Sequence, residues 1–197
     1  DWPGFGIQKQ NALDLATHEW VLSIDADERV TPELRNEIIS VLSSNSNVNG
    51  YLIPRLSNYL GKDIRHAGWY PDYTLRLVKR GRSHFTKDIV HEKMVADGAI
   101  QKISNHFLHF PFKDIEHHFQ KLNDYSTLSA NKMYREGKKV GWILIVLKTL
   151  LAFIRSYILK LGILDGWPGL TVSVSTSLSV YMKYVKLKEL RLFGKKT

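Results

Sequence analysis

The sequence predicts an α/β fold in which helices pack on a mixed sheet, followed by a C-terminal amphipathic helical tail that associates with a membrane. Three observations predict it. A short apolar run rich in strand formers, Trp20-Val21-Leu22-Ser23-Ile24, lies between two helical patterns and stops at acidic residues. From Gly50 to Ile103 the chain breaks into short β-like pieces punctuated by Gly61, Gly68, Gly81 and Gly98. Charge then shifts: residues 1–137 carry 17 Lys/Arg against 17 Asp/Glu, and residues 138–197 carry 11 against 2.

Taken in order, Gly4-Phe5-Gly6 reads as a glycine turn feeding a helix over 7–16, with Ala12, Leu13, Leu15 and Ala16 apolar. Trp20–Ile24 has the profile of a buried central strand. Thr31, Pro32 and Glu33 supply an N-cap, a first-turn proline and an early acid, so a helix is expected over 32–42 with Leu34, Ile38 and Leu42 inward. Strands are expected over 51–56, 74–78 and 89–95. A helix follows over 114–135, with Ile115, Phe119, Leu122, Tyr125, Leu128 and Met133 as its apolar side, closed by Gly137. His117 and His118 read as solvated helix residues.

The chain has 197 residues, 44% of them apolar, which allows one sizeable core and a small additional module. The expected division is a catalytic domain over 1–137 and a membrane-association region over 138–197. With no cysteine, disulfides and thiolate metal sites are excluded. No signal-peptide pattern opens the sequence, so export is not expected, and the missing initiator Met suggests that an N-terminal portion lies outside it.

The run from Trp142 to Lys160 nearly has the length of a membrane span, yet Lys148 and Arg155 interrupt it seven residues apart, on one helical face. A cation near the bilayer centre costs about 2.5 to 3.5 kcal/mol. A helix lying in the interface with its cations toward anionic headgroups answers that cost, as does packing on the protein's own core. The last helix, over 172–193, surrounds Val174, Leu178, Tyr181 and Val185 with Lys183, Lys186, Lys188 and Arg191, which suits an anionic membrane surface. Nucleic acid is not the expected partner, since no recognition motif accompanies the basic residues.

Asp25-Ala26-Asp27 at a strand end places two oxygen ligands side by side, and oxygen ligands select hard cations such as Mg²⁺ or Mn²⁺. The aspartates can equally cap the following turn.

Several segments together resemble a known family. They are Asp1-Trp2-Pro3-Gly4-Phe5-Gly6 with Lys9 and Asn11-Ala12-Leu13; Trp20 through Asp25-Ala26-Asp27-Glu28; Gly68-Trp69-Tyr70-Pro71-Asp72 with Arg76-Leu77; Val90-His91-Glu92; His109 ahead of a helix holding Lys121 and Tyr125; and Gly162 to Gly169 before Lys183-Tyr184. This ordered set resembles the bacterial lipopolysaccharide core glycosyltransferases of glycosyltransferase family 2, the group containing inner-core β-1,4-glucosyltransferases.

The resemblance implies part of a GT-A (nucleotide-diphospho-sugar transferase) fold whose nucleotide-binding strands precede Asp1. It implies inverting transfer of a hexose, glucose by family, from a UDP-sugar donor to the lipopolysaccharide core or another lipid-linked acceptor. The enzyme would be peripheral on the cytoplasmic face of the bacterial inner membrane. Asp27 is then the direct ligand of Mg²⁺ or Mn²⁺, with Asp25 at the metal or the ribose and His109 at the metal or diphosphate. Lys9 and Arg76 fall near phosphate, although Lys9 also fits an exposed helix lysine and Arg76 a pair with Asp72. Trp69 and Tyr70 offer flat faces to a sugar or to the core, and His91 falls in the substrate site. Glu92 is the candidate base that takes the acceptor hydroxyl's proton, with Asp88 and Asp72 as alternatives. Two rivals stand beside this reading: a family 2 enzyme acting on a polyprenyl phosphate or another surface polysaccharide, and a noncatalytic membrane-associated binding module.

Overall fold

The computed structural model describes residues 4–44, 47–86 and 93–194. The chain forms two compact units, one of residues 1–56 and 71–109 and the other of residues 57–70 and 110–197. The helix over 115–135 lies in the second of these units.

The first unit is a mixed sheet with a helix on each face. Its strands are β1 (Trp20–Leu22), β2 (Glu28–Val30), β3 (Gly50–Tyr59, which continues into the second unit), β5 (Asp72–Lys79), β8 (Ile100–Lys102) and β9 (Phe107–His109). The order is β1-β5-β3-β9-β2; β8 pairs with β3 in parallel, while the β1–β5, β3–β5 and β2–β9 pairs are antiparallel. Among the described residues β1 ends the path, pairs antiparallel with β5, and has three half-buried residues rather than buried ones.

Successive residues on a strand point to opposite faces, and both faces are covered here. Leu77, with Trp20 and Leu22, packs beneath helix α2 (Pro32–Ser43) in a cluster with Leu34, Ile38, Tyr51, Ile53 and Phe107. The next residue, Val78, with Val21, packs with Leu13 of helix α1 (Phe5–Asp14) and with Phe85 and Ala96. Those last two lie on the hairpin of β6 (Ser83–Phe85) and β7 (Met94–Ala96). Continuous apolar runs in these short strands follow from burial on two sides. Thr31 caps α2 as expected, its hydroxyl accepting from Leu34 N at 3.1 Å. Leu42 is exposed rather than inward, and Val41 packs on the core in its place.

In the second unit the end of β3 pairs with β4 (Lys62–Ile64), and helices α3 (Ile115–Arg135), α4 (Trp142–Ile154) and α5 (Gly166–Phe193) follow. Asp114 caps α3 by accepting from His117 N at 2.7 Å. The buried face of α3 is His118, Leu122, Ser126 and Ala130, whereas Ile115, Tyr125 and Leu128 are exposed, so the expected apolar side is rotated from the real one. Nor is His118 solvated. It shares a 2.7 Å hydrogen bond with the Tyr59 hydroxyl and stacks on Phe112 at 4.2 Å between ring centroids.

Glycine permits the closest approach in this unit. A Cβ on Gly169 would stand 2.0 Å from the Gly162 carbonyl oxygen, so no larger residue fits where α5 begins. Nearby, Asp165 accepts from the His66 backbone N–H at 2.8 Å and pairs with its ring Nδ1 at 2.9 Å. Across the helices, the Lys186 ammonium donates to Asn123, Ser126 and Thr127 of α3. A π turn over Arg155–Leu159 and a 3₁₀ turn over Gly162–Asp165 join α4 to α5.

Tyr59→Phe removes the partner of a buried imidazole and should cost about 1–3 kcal/mol in urea denaturation. Burial holds His118 below its ordinary 6.5, so the unfolded chain takes up the proton first. The stability this provides is complete above 6.5 and should fall away as pH drops below that value.

Candidate active site

The acidic turn after β1 is folded by its own hydrogen bonds. Glu28 N–H donates to the Asp25 carbonyl at 3.0 Å, and Asp25 N–H donates to the Glu28 carboxylate at 2.9 Å. Ser23 N–H reaches the Arg76 carbonyl at 2.8 Å, tying the turn to the middle of β5.

Arg76 is the centre of the arrangement. Its Nη2 donates to Asp25 Oδ2 and, at 2.6 Å, to Glu28 Oε1; the Glu28 side chain is wholly buried. Arg55 on β3 approaches the same Glu28 oxygen at 3.5 Å and grips Asp72, its cross-strand neighbour, through Nε at 3.0 Å and through Nη2. From α1, Lys9 reaches the other oxygen of Asp25 at 3.1 Å. The α1 helix is itself pinned where Gln10 accepts from Phe85 N at 2.7 Å.

Burial disfavours the charge on Asp25, but the hydrogen bonds and charges of Arg76 and Lys9 outweigh it, and its pKa is lowered. Burial opposes the charge on Arg76 as well. Its hydrogen bond to Asp25 and the charge of Glu28 prevail, and the guanidinium is held above its ordinary value.

Asp27 differs from its neighbours. Its side chain is 42% exposed, and the contact the structure gives it is His109 Nε2 at 3.6 Å. His109 lies on β9, in register with Glu28 of β2. Its pKa is lowered by burial and by the charge of Arg55, against the pull of Asp27, Glu28 and Asp72. A neutral imidazole offers a nitrogen lone pair.

Among the described residues no three His, Asp or Glu side chains are disposed to hold a metal on their own. The donor set nevertheless fits a cation completed by ligand oxygens. Mg²⁺ and Mn²⁺ are commonly held by one or two carboxylates plus substrate phosphates; Asp27 is an exposed carboxylate of that kind, with His109 Nε2 3.6 Å away.

The structure thus gathers Lys9, Asp25, Asp27, Asp72, Arg76 and His109 in the first unit. Asp72 and Arg76 do not pair with each other; Arg76 takes Asp25 and Glu28, and Asp72 takes Arg55. Trp69 and Tyr70 belong to the second unit, Trp69 half-buried in an aromatic cluster with Tyr59, Phe112 and His118 and Tyr70 at 5.9 Å from the Arg65 guanidinium. Asp88, His91 and Glu92 lie outside the described residues. Two members escaped sequence reading, Glu28 and Arg55. Arg55 stands within an apolar strand, and a charge in that position calls for a partner.

With this geometry in place, the chain is similar over nearly its whole length to bacterial proteins named as glycosyltransferases. One is the lipopolysaccharide core biosynthesis glycosyltransferase LpsC of Rhizobium meliloti, 26% identical over 192 residues, covering 93% of this chain and 71% of that protein. Others are uncharacterized glycosyltransferases of Rickettsia typhi and Rickettsia prowazekii, each 26% identical over 203 residues, 97% of this chain and 69% of theirs. No protein-family model matches the chain.

Arg76→Met strands buried Glu28 and should destabilise the first unit by about 3–5 kcal/mol in urea. The lowered pKa of Asp25 contributes stability that is present above its ordinary 3.8 and is lost as pH falls through the folded value. Acid titration of Arg76→Met should lose most of this part of the wild-type pH dependence, Lys9 keeping the remainder.

Proposed function

We propose that the chain is a glycosyltransferase of the GT-A class, family 2, transferring a hexose from a UDP-sugar to the lipopolysaccharide core. The observation that carries the reading is the acidic turn in which Asp25 and Glu28 are neutralised by Lys9, Arg76 and Arg55 while Asp27 remains open beside His109. The similarity to LpsC supports the acceptor class.

In this reading Asp27 and His109 hold Mg²⁺ or Mn²⁺, which when bound neutralises the donor's diphosphate. Asp25, fixed by two cations, faces the ribose, and Arg76 sets the shape of the turn. Glu92 takes the proton from the acceptor hydroxyl as its oxygen bonds to sugar C1. The C1–O bond to UDP breaks on the opposite face, UDP leaves with the electron pair, and the anomeric centre inverts. Asp72, already gripped by Arg55, is the less suitable base.

The enzyme works as a peripheral protein on the cytoplasmic face of the inner membrane. Trp142–Leu159 is apolar enough to meet a bilayer, and within α4 only Ile145 is buried. The same exposed helix favours a second acceptor, a polyprenyl phosphate, which a parallel acceptor assay separates from lipopolysaccharide.

The test is UDP release from UDP-glucose with truncated lipopolysaccharide, with and without Mg²⁺ or Mn²⁺. Turnover should require metal, and Asp27→Ala should lose the metal-dependent part. Glu92→Gln should lower kcat by about 10²–10⁴-fold, and Asp72→Asn by less than about tenfold. Turnover by Asp27→Ala equal to wild type, or none with any nucleotide sugar, would refute the reading.

A further inference from the structure

The two cations that interrupt the apolar helix α4 do not face outward at random. Lys148 and Arg155 line a cavity of about 520 Å³ in the second unit, together with Lys160 of the connecting turn and Lys183 of α5. Tyr184 lines it too, with the Lys148 ammonium 5.6 Å and the Lys183 ammonium 5.2 Å from its ring centroid. Lys160 is brought round by the π turn, its N–H donating to the Arg155 carbonyl at 2.8 Å.

No acidic side chain lines this cavity, and among the described residues none of the four cations has a carboxylate partner. Four like charges around one small space repel one another, and an anion relieves that repulsion. Other cations drawn into the protein have close partners, the buried Arg76 and half-buried Arg55 in carboxylates and the half-buried Lys186 in side-chain and backbone oxygens. Of the cavity's four, Lys148 and Lys183 are half-buried and Arg155 and Lys160 exposed.

Apolar surface on the same helix narrows the class of anion. Ile143, Leu147, Leu150, Ile154 and Ile158 are all exposed on or just beyond α4. A soluble anion makes no use of that surface, whereas a lipid brings a phosphate and an apolar body together.

We propose that this cavity binds the phosphate-bearing headgroup of an anionic membrane lipid while the apolar side of α4 lies in the bilayer interface. The site stands whether or not the first unit transfers a sugar. Lys148 and Arg155, costly in a span, are here the ligands for which the helix is built.

The proposal is tested by sedimenting the full chain with phosphatidylcholine vesicles containing phosphatidic acid. The pocket variant Lys148→Gln/Arg155→Gln/Lys183→Gln is compared with Lys113→Gln/Lys132→Gln/Lys139→Gln, which removes equal charge outside the cavity. The pocket variant should lose affinity on the order of a hundredfold, and the charge-matched control less than about tenfold. If the triple variant fails to fold, Lys148→Gln against Lys139→Gln carries the same comparison.

Inorganic phosphate and pyrophosphate form the second arm, read by calorimetry without vesicles. Weak binding there, lost in the pocket variant, agrees with a headgroup site. Equal losses by the two vesicle variants would overturn the proposal, and so would tight pyrophosphate binding with no gain from vesicles.

Discussion

A buried guanidinium organises the first unit. Arg76 lies in the middle of β5, where Leu77 and Val78 face two separate cores, and its side chain must find negative charge or leave a cation in the interior. The acidic turn supplies that charge. Asp25 and Glu28 bind Arg76 from the two ends of a four-residue turn whose own backbone bonds close it, so the conformation of the turn and the ionisation of its acids depend on one another. The open position of Asp27 follows from this division, since its neighbours are already occupied and its exposure leaves it available to a ligand.

The second unit solves a different problem, that of ordering helices whose surfaces carry many polar groups. His118 and Ser126 are buried on α3 because each has a partner, Tyr59 for the imidazole and the Asn123 carbonyl with Lys186 for the hydroxyl. Close backbone contact at Gly162 and Gly169 and the His66–Asp165 pair fix the start of α5. Helix α4 is the exception, apolar and largely exposed, with Lys148 and, just past its end, Arg155 gathered on a cavity.

Much of this was legible in the sequence where a local rule had no competitor. The Thr31 cap with Pro32 and Glu33 marks the start of α2, and the apolar run at Trp20 marks β1 because both faces of that strand are covered. The face of α3 was misread for a physical reason: apolar periodicity assumes that apolar residues point inward, and here hydrogen-bonded polar residues take the inner face while Ile115, Tyr125 and Leu128 remain outside. The antiparallel pairing of β1 depends on β5, more than fifty residues away, which no local pattern records. At the candidate site the aspartates and Arg76 were visible as types in a pattern. Their pairing was not, because Arg55 enters from a strand whose sequence otherwise reads as core.

In the proposed function Arg76 shapes the turn so that Asp27 is left to hold a divalent cation. Mn²⁺ binding followed by electron paramagnetic resonance in the presence of UDP, for the wild type, Asp27→Ala and Arg76→Lys, tests it directly. Asp27→Ala should abolish UDP-dependent Mn²⁺ binding, and Arg76→Lys, which keeps a cation but not the fork of donors, should weaken it while the protein stays folded. Mn²⁺ binding unchanged in both variants would contradict the account.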